Sequence, residues 1–318
     1  MEDKKMLSII LLSYYSGNKL MNAYNAIEKL LGENKIPFEF IIIDDGSTDE
    51  TFSIAEKLER AKPNVKAYQL SKNYTTAYSI FAGLKVSEGA CAMAIPDDEQ
   101  QPYFTIVEMY RLWEKGNKII IPHRSSRNDG VFHNLSSRLF YAIINKLSDF
   151  KYPAGGADLF FIDREIIDIV NNGIRPVNTY IIPELLRLGY QPYLYPYDRP
   201  ESSRGKSKWT VKKKMRLAVN IFFSSSTFPI RVISSIGLLL SLVSVLLIVF
   251  YTYLKLFGNK QFWGTLPIGW VSLILMLSFF FGIILLSLGI IAQYIWRIYE
   301  EVKQRPPYII KKKESPNE

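Results

Sequence analysis

The chain has 318 residues, 48% of them hydrophobic and 22% charged, which excludes a disordered polymer and fits one or two folded domains. Lysine and arginine (39) outnumber aspartate and glutamate (30), giving a net charge of +9, and the single cysteine, Cys91, excludes an intrachain disulfide and a cysteine metal cage. With only His123 and His133, a multi-histidine zinc centre is also disfavoured.

The first two hundred residues alternate two periodicities. Leu7–Ser13 is a continuous apolar run, the pattern of a parallel strand buried on both faces. Leu20, Tyr24, Ile27 and Leu31 follow at helical spacing, then Phe38–Ile43 as a second buried strand. Thr51–Arg60 reads as a helix, Val65–Leu70 as a strand, Tyr74–Val86 as a helix and Cys91–Ile95 as a fourth strand. Tyr103–Lys115 is helical, Lys118–Pro122 and Leu159–Ile162 are extended, and Tyr180–Leu188 is helical. This order predicts an α/β domain, Rossmann-like, with a mostly parallel sheet and helices on both faces.

In such sheets ligands bind beyond the carboxyl ends of the strands. Here those ends carry Ser13-Tyr14-Tyr15, Asp44-Asp45-Gly46-Ser47 and Pro96-Asp97-Asp98-Glu99-Gln100. No GxGxxG or GxxxxGKS follows a strand, which removes the dinucleotide and P-loop readings. Two acidic clusters on adjacent strand ends call for hydrogen-bond donors, such as those of a nucleotide base, or for a divalent cation. Taken alone, Asp44–Ser47 also reads as a turn in which Ser47 or Thr48 caps the next helix.

The remaining third is apolar. Val232 to Leu254 is a stretch of 23 residues without a charge, about 35 Å of helix at ~1.5 Å per residue, enough for a bilayer core. A second uncharged run covers Gln261–Trp296, with its apolar core at Ile268–Ile295. Lys206, Lys208, Lys212–Lys214, Arg216 and Arg231 precede the pair, and Arg297, Lys303, Arg305 and Lys311–Lys313 follow it. Only Lys255 and Lys260 lie between, so the positive-inside rule puts both termini in the cytoplasm. The excess positive charge then serves anionic lipid headgroups and not nucleic acid. Trp209–Phe228 mixes lysines with Met215, Leu217, Ile221 and Phe222, the composition of an interfacial helix. The expected organisation is a soluble domain over 1–208, a juxtamembrane helix over 209–231, two transmembrane helices within 232–297 and a basic tail over 298–318.

The Asp44-Asp45-Gly46-Ser47-Thr48-Asp49 strand end resembles the nucleotide-binding motif of family 2 inverting glycosyltransferases with the GT-A fold. Further blocks are similar to those of the polyprenyl-phosphate glycosyltransferases: Ser71-Lys72-Asn73-Tyr74, Asp98-Glu99-Gln100-Gln101-Pro102, Ser137–Tyr141, Gly156-Ala157-Asp158, Arg204–Trp209 and Arg305-Pro306-Pro307-Tyr308. Two departures stand out. Pro96 replaces the first acid of the usual Asp-x-Asp, and Ser13-Tyr14-Tyr15-Ser16-Gly17 replaces Pro-x-Tyr-Asn-Glu.

The resemblance implies transfer of one sugar, with inversion, from a nucleotide sugar (UDP favoured over GDP) to a polyprenyl phosphate, at the cytoplasmic face of a bacterial inner membrane. It implies nucleotide contacts from Ser13, Tyr15, Asp44, Asp45 and Asp97, and Mg²⁺ or Mn²⁺ on Asp98 and Gln100. It places catalysis on Asp158, Arg138 and Arg204, and lipid-phosphate binding on Arg124, Arg127, Ser137, Arg138, Arg204, Ser207 and Lys208. The alternatives are a membrane transferase acting on a polysaccharide or lipid-linked saccharide, and a non-catalytic nucleotide-sugar-binding scaffold. A homo-oligomer is left open.

Overall fold

The computed structural model describes residues 5–17, 19–97, 103–124, 145, 151–153, 157, 159–197 and 270–311, with scattered helical positions between 233 and 257. The chain divides into two compact units, one formed by Met1–Ser225 with Arg305–Glu318 and one by Ser226–Gln304.

The first unit is built on β1 (Leu7–Ser13), α1 (Lys19–Glu33), β2 (Phe38–Asp44), α2 (Thr51–Ala61), β3 (Val65–Gln69), α3 (Thr76–Val86), β4 (Cys91–Pro96) and α4 (Phe104–Glu114). It continues through β5 (Ile119–Arg124), β6 (Phe161–Asp163), α5 (Arg164–Gly173), α6 (Ile181–Arg187) and β7 (Tyr193–Tyr197). The sheet order is β3-β2-β1-β4-β6-β5-β7. All pairs are parallel except those of β6, which runs antiparallel to both β4 and β5. The expected α/β architecture with a mostly parallel sheet is therefore present.

Both faces are covered, which explains why the central strands are apolar throughout. Leu7, Ile9 and Leu11 of β1 pack with Leu20, Tyr24 and Ile27 of α1, Leu58 of α2 and Met109 of α4. Ile10 points the other way, into a core with Phe81 and Leu84 of α3, Ile166 and Val170 of α5 and Leu185 of α6. Each such side chain, fully buried, contributes roughly 1.5–3 kcal/mol of transfer free energy. Two layers of helices thus hold the strands in register and fix where their carboxyl ends emerge.

Two local differences from the sequence reading have physical causes. The helix expected from Tyr74 begins at Thr76, because the Tyr74 and Thr75 N–H groups donate to the Asp45 carboxylate and Thr75 is left-handed at φ 82°. The extended run expected over Leu159–Ile162 becomes a strand at Phe161–Asp163. It ends where the Asp163 side chain accepts the Glu165 N–H and caps α5.

In the second unit, α7 (Trp270–Val302) has 33 residues, about 50 Å at ~1.5 Å per residue. Its segment Phe279–Val302 is the one helix among the described residues long and apolar enough to cross a membrane. Phe279, Phe281, Leu285, Leu286 and Ile295 along it are exposed. It runs past the expected limit at 297 and stops before Pro306-Pro307, which cannot continue a helix. The other expected span, most of it, and the interfacial segment 209–231 lie outside the described residues.

Candidate functional site at the carboxyl ends of the strands

Parallel register gathers the site. Ser13 stands opposite Asp44, and Asp44 opposite Gln69. Leu12 pairs with Pro96, so Asp97 follows at the level of Ser13. Neighbouring strands are ~4.8 Å apart, so residues distant in sequence become side-chain neighbours here.

Asp44 has no exposed surface. Its carboxylate accepts the Ser47 N–H at 3.2 Å and the Gln69 Nε2–H at 2.7 Å, and it also accepts the Ser47 hydroxyl. Gln69 donates in addition to the Ser47 carbonyl at 3.1 Å. Ser47 therefore braces Asp44 and does not cap α2, whose first N–H, at Thr51, is taken by Asp49 at 3.1 Å. The Ser47 hydroxyl oxygen accepts the Tyr15 N–H at 3.0 Å.

Asp45 is 5% exposed and accepts the Tyr74 N–H at 2.7 Å and the Thr75 N–H at 2.9 Å, one on each oxygen. Burial pushes its pKa up to about 6, against the pull of those two N–H groups and with the Asp44 charge adding to the rise. The Ser79 side chain is a further hydrogen-bond donor to this carboxylate and also holds its pKa down. Between the two acids the chain turns at Gly46, φ 74°, where an added Cβ would come within 2.5 Å of the Lys72 carbonyl carbon.

On the β1 side, the Ser13 hydroxyl donates to Ser16 Oγ at 3.0 Å, and Ser16 Oγ donates to Asp97 Oδ2 at 2.5 Å. Thr51 Oγ1 accepts the N–H groups of Ser16 and Gly17 at 3.0 and 3.1 Å. This shapes a tight turn that presents Tyr14 and Tyr15 outward, 47% and 49% exposed, with ring centroids 4.5 Å apart edge to face. Tyr15 is left-handed at φ 53° and its hydroxyl shares a hydrogen bond with Thr48 Oγ1 at 2.9 Å. Two open rings beside buried carboxylates offer stacking surface for a flat base and acceptors for its N–H groups.

The structure thus brings together Ser13, Tyr15, Asp44, Asp45 and Asp97. Arg124 closes β5 in register with Tyr197, and Ala157 bridges to His123. Asp98, Gln100, Arg127, Ser137, Arg138, Asp158, Arg204, Ser207 and Lys208 lie outside the described residues. Among the described residues no group of three His, Cys, Asp or Glu side chains is gathered for a metal. Three contributors escaped the sequence reading as ligand-site residues: Ser16, Thr51 and Gln69. They are visible only once strand register is known. His123 Nδ1 is buried with no hydrogen-bond partner among the described residues, and a lone histidine in an apolar strand carries no sequence signal.

The glycosyl transferase family 2 model matches residues 8–169, about half of the chain. The SfII prophage-derived bactoprenol glucosyl transferase of Shigella flexneri is 33% identical, over 86% of this chain and 87% of that one. The Bacillus subtilis glycosyltransferase YkcC is 28% identical over 96% of this chain and 93% of its own. Among solved structures, mannosyl-3-phosphoglycerate synthase from Rubrobacter xylanophilus aligns with TM-score 0.43 at 15% identity, covering 68% of this chain and 71% of that one.

Proposed function

The chain belongs to glycosyl transferase family 2, and on that premise we propose that it moves a single sugar from a nucleotide sugar, UDP-linked in preference to GDP-linked, onto a polyprenyl phosphate at the cytoplasmic face of a bacterial membrane. The observation that carries the reading is its likeness, across most of both chains, to enzymes named for glucosyl transfer to bactoprenol. The strand-end cluster supports the donor half, and the exposed apolar surface of α7 supports the membrane half.

The chemistry sets what the residues must do. An oxygen of the acceptor phosphate attacks the anomeric carbon, and the bond from that carbon to the nucleoside diphosphate breaks. One displacement inverts the centre, so an α-linked donor yields a β-linked lipid phosphate. A phosphate monoester has a second pKa of ~6 and is mostly dianionic at neutral pH, so it needs placement more than activation. Arg138 and Arg204, with Arg124 and Arg127, offset the repulsion between two anionic substrates through planar, bidentate guanidinium contacts. Ser137, Ser207 and Lys208 add donors to the lipid phosphate. Asp158 orients the acceptor or takes its residual proton. Tyr15 stacks on the base, Asp45 and Asp44 address base and ribose, and Ser13 and Asp97 frame the phosphates.

The oxygen donors Asp98 and Gln100, beside Asp97, fit a hard divalent cation, so these side chains would hold Mg²⁺ or Mn²⁺. When bound, that ion supplies Lewis-acid stabilisation of the leaving diphosphate.

The test is an assay on membranes containing the full chain, given undecaprenyl phosphate and a panel of nucleotide sugars, with and without Mn²⁺ after chelation. A lipid phosphate carrying one sugar, identified by mass, supports the reading; a lengthened saccharide or no lipid product overturns it. In the same assay Asp98→Ala and Arg204→Ala each lower turnover about tenfold or more, ~1.4 kcal/mol of barrier. Wild-type rates in both would remove those residues from the site.

A further inference from the structure

After α7 ends at Val302, the chain turns through Gln304, left-handed at φ 51°, and residues 305–311 belong to the first compact unit. They add a short antiparallel pairing just beyond β3, the edge strand of the sheet. Ile310 bridges Leu70, the Ser71 N–H donates to the Ile309 carbonyl at 2.8 Å, and the Lys311 N–H donates to the Gln69 carbonyl at 2.8 Å. Tyr308 and Ile310 pack on the core that holds Leu70 and Phe81, and the Tyr308 hydroxyl donates to the Phe81 carbonyl at 3.4 Å.

This pairing delivers one side chain to the strand-end cluster. Lys311 Nζ donates to Gln69 Oε1 at 2.8 Å. An ammonium only donates, so it engages the carbonyl end of the amide and leaves both amide hydrogens for Asp44 Oδ2 and the Ser47 carbonyl. Asp44 binds Ser47, and Ser47 Oγ holds the Tyr15 N–H. A continuous hydrogen-bonded path therefore runs from Lys311 through Gln69, Asp44 and Ser47 to the exposed Tyr15. Within it the Gln69 amide has all three of its roles filled, and Lys311 fills the one that no strand residue supplies. A bond from a charged donor polarises the amide toward Asp44.

We propose that Lys311 is a positioning residue of the donor-nucleotide site, so that the segment following the membrane helix completes a pocket otherwise built by the first hundred residues. The inference rests on the reading of the strand-end cluster as the nucleotide pocket.

The experiment uses the full chain in detergent micelles and measures UDP and GDP binding by calorimetry. Whichever nucleotide the wild type binds, Lys311→Ala weakens it about fivefold or more, with the melting temperature unchanged within about 2 °C. Lys311→Arg keeps a donor and holds affinity within about twofold of wild type. Gln69→Ala weakens binding as well, and adding Lys311→Ala to it costs nothing further, because the path is already cut. Wild-type affinity in Lys311→Ala, an equal loss in Lys311→Arg, or a loss that merely follows a lower melting temperature overturns the inference alone. A wild type that binds neither nucleotide overturns the reading of the pocket and the inference with it.

Discussion

Asp45 is a carboxylate whose burial and whose neighbour Asp44 outweigh the two backbone N–H groups it accepts, leaving its pKa at about 6 against an ordinary 3.8. The folded state therefore holds this proton more tightly than the unfolded state does. The resulting stabilisation is complete below the unfolded value of 3.8 and is lost as pH rises through about 6. The difference is on the order of 3 kcal/mol across that window. Melting curves of the wild-type chain and Asp45→Asn at several pH values check this: the wild type's advantage shrinks between about pH 4 and 6 and is flat above. A constant difference would show that Asp45 titrates normally. Beside it, Gly46 cannot accept a side chain, since its φ is 74° and the Lys72 backbone fills the space of a Cβ. Gly46→Ala therefore costs about 2 kcal/mol or more in denaturant unfolding, and it displaces the turn that carries both acids. The two acids were legible in the sequence as a pair at a strand end. Their partners were not, because Gln69, Tyr74 and Thr75 approach only through strand register and a left-handed turn that local pattern does not encode.

At the scale of elements, a strand or helix was legible where burial is one-sided or complete over a long run. β1, β2 and β4 are apolar for their whole length, and α1 repeats its buried positions every three or four residues. α5 and β7 escaped notice. α5 has only ten residues, with three buried, and β7 exposes most of its length. β6 has three residues and reverses direction, which no periodicity reports. What fixes that reversal is a polar joint at its end. Asp163 accepts the Glu165 N–H at 2.9 Å and the Trp113 indole N–H at 2.7 Å, tying α5 to α4. Arg164 then donates to the Gly89 carbonyl at 2.8 Å and the Ser87 carbonyl at 3.1 Å, tying α5 to the end of α3. Asp163→Ala removes a cap and orphans a half-buried indole N–H, together about 2–3 kcal/mol. Denaturant midpoints check it, and a change below about 0.5 kcal/mol would mean that the joint carries no load.

At the scale of the whole molecule, the sequence separates into a polar and an apolar part, and that division was legible from charge-free runs alone. The return of the chain after α7 was not. Residues 305–311 look like a basic tail, yet they pair with the sheet edge and belong to the first unit. The two parts of the molecule therefore divide the two substrates unequally. Under the proposed function and the role inferred for Lys311, donor binding depends on residues 5–97 and 305–311 folding together, and access to a lipid acceptor depends on the apolar unit. Replacing residues 226–304 by a long Gly/Ser linker keeps both sequence segments of the first unit and removes α7. The resulting chain retains UDP or GDP affinity within about threefold, because an added flexible loop costs little more with length. If the proposed function holds and α7 anchors the enzyme, transfer to undecaprenyl phosphate in vesicles falls by about a hundredfold, since the local concentration that anchoring gives is lost. Deleting residues 305–318 from that linker chain then weakens nucleotide binding as well, although every residue of β1 to β4 remains. Equal transfer with and without the apolar unit would mean that anchoring does not govern access to the acceptor.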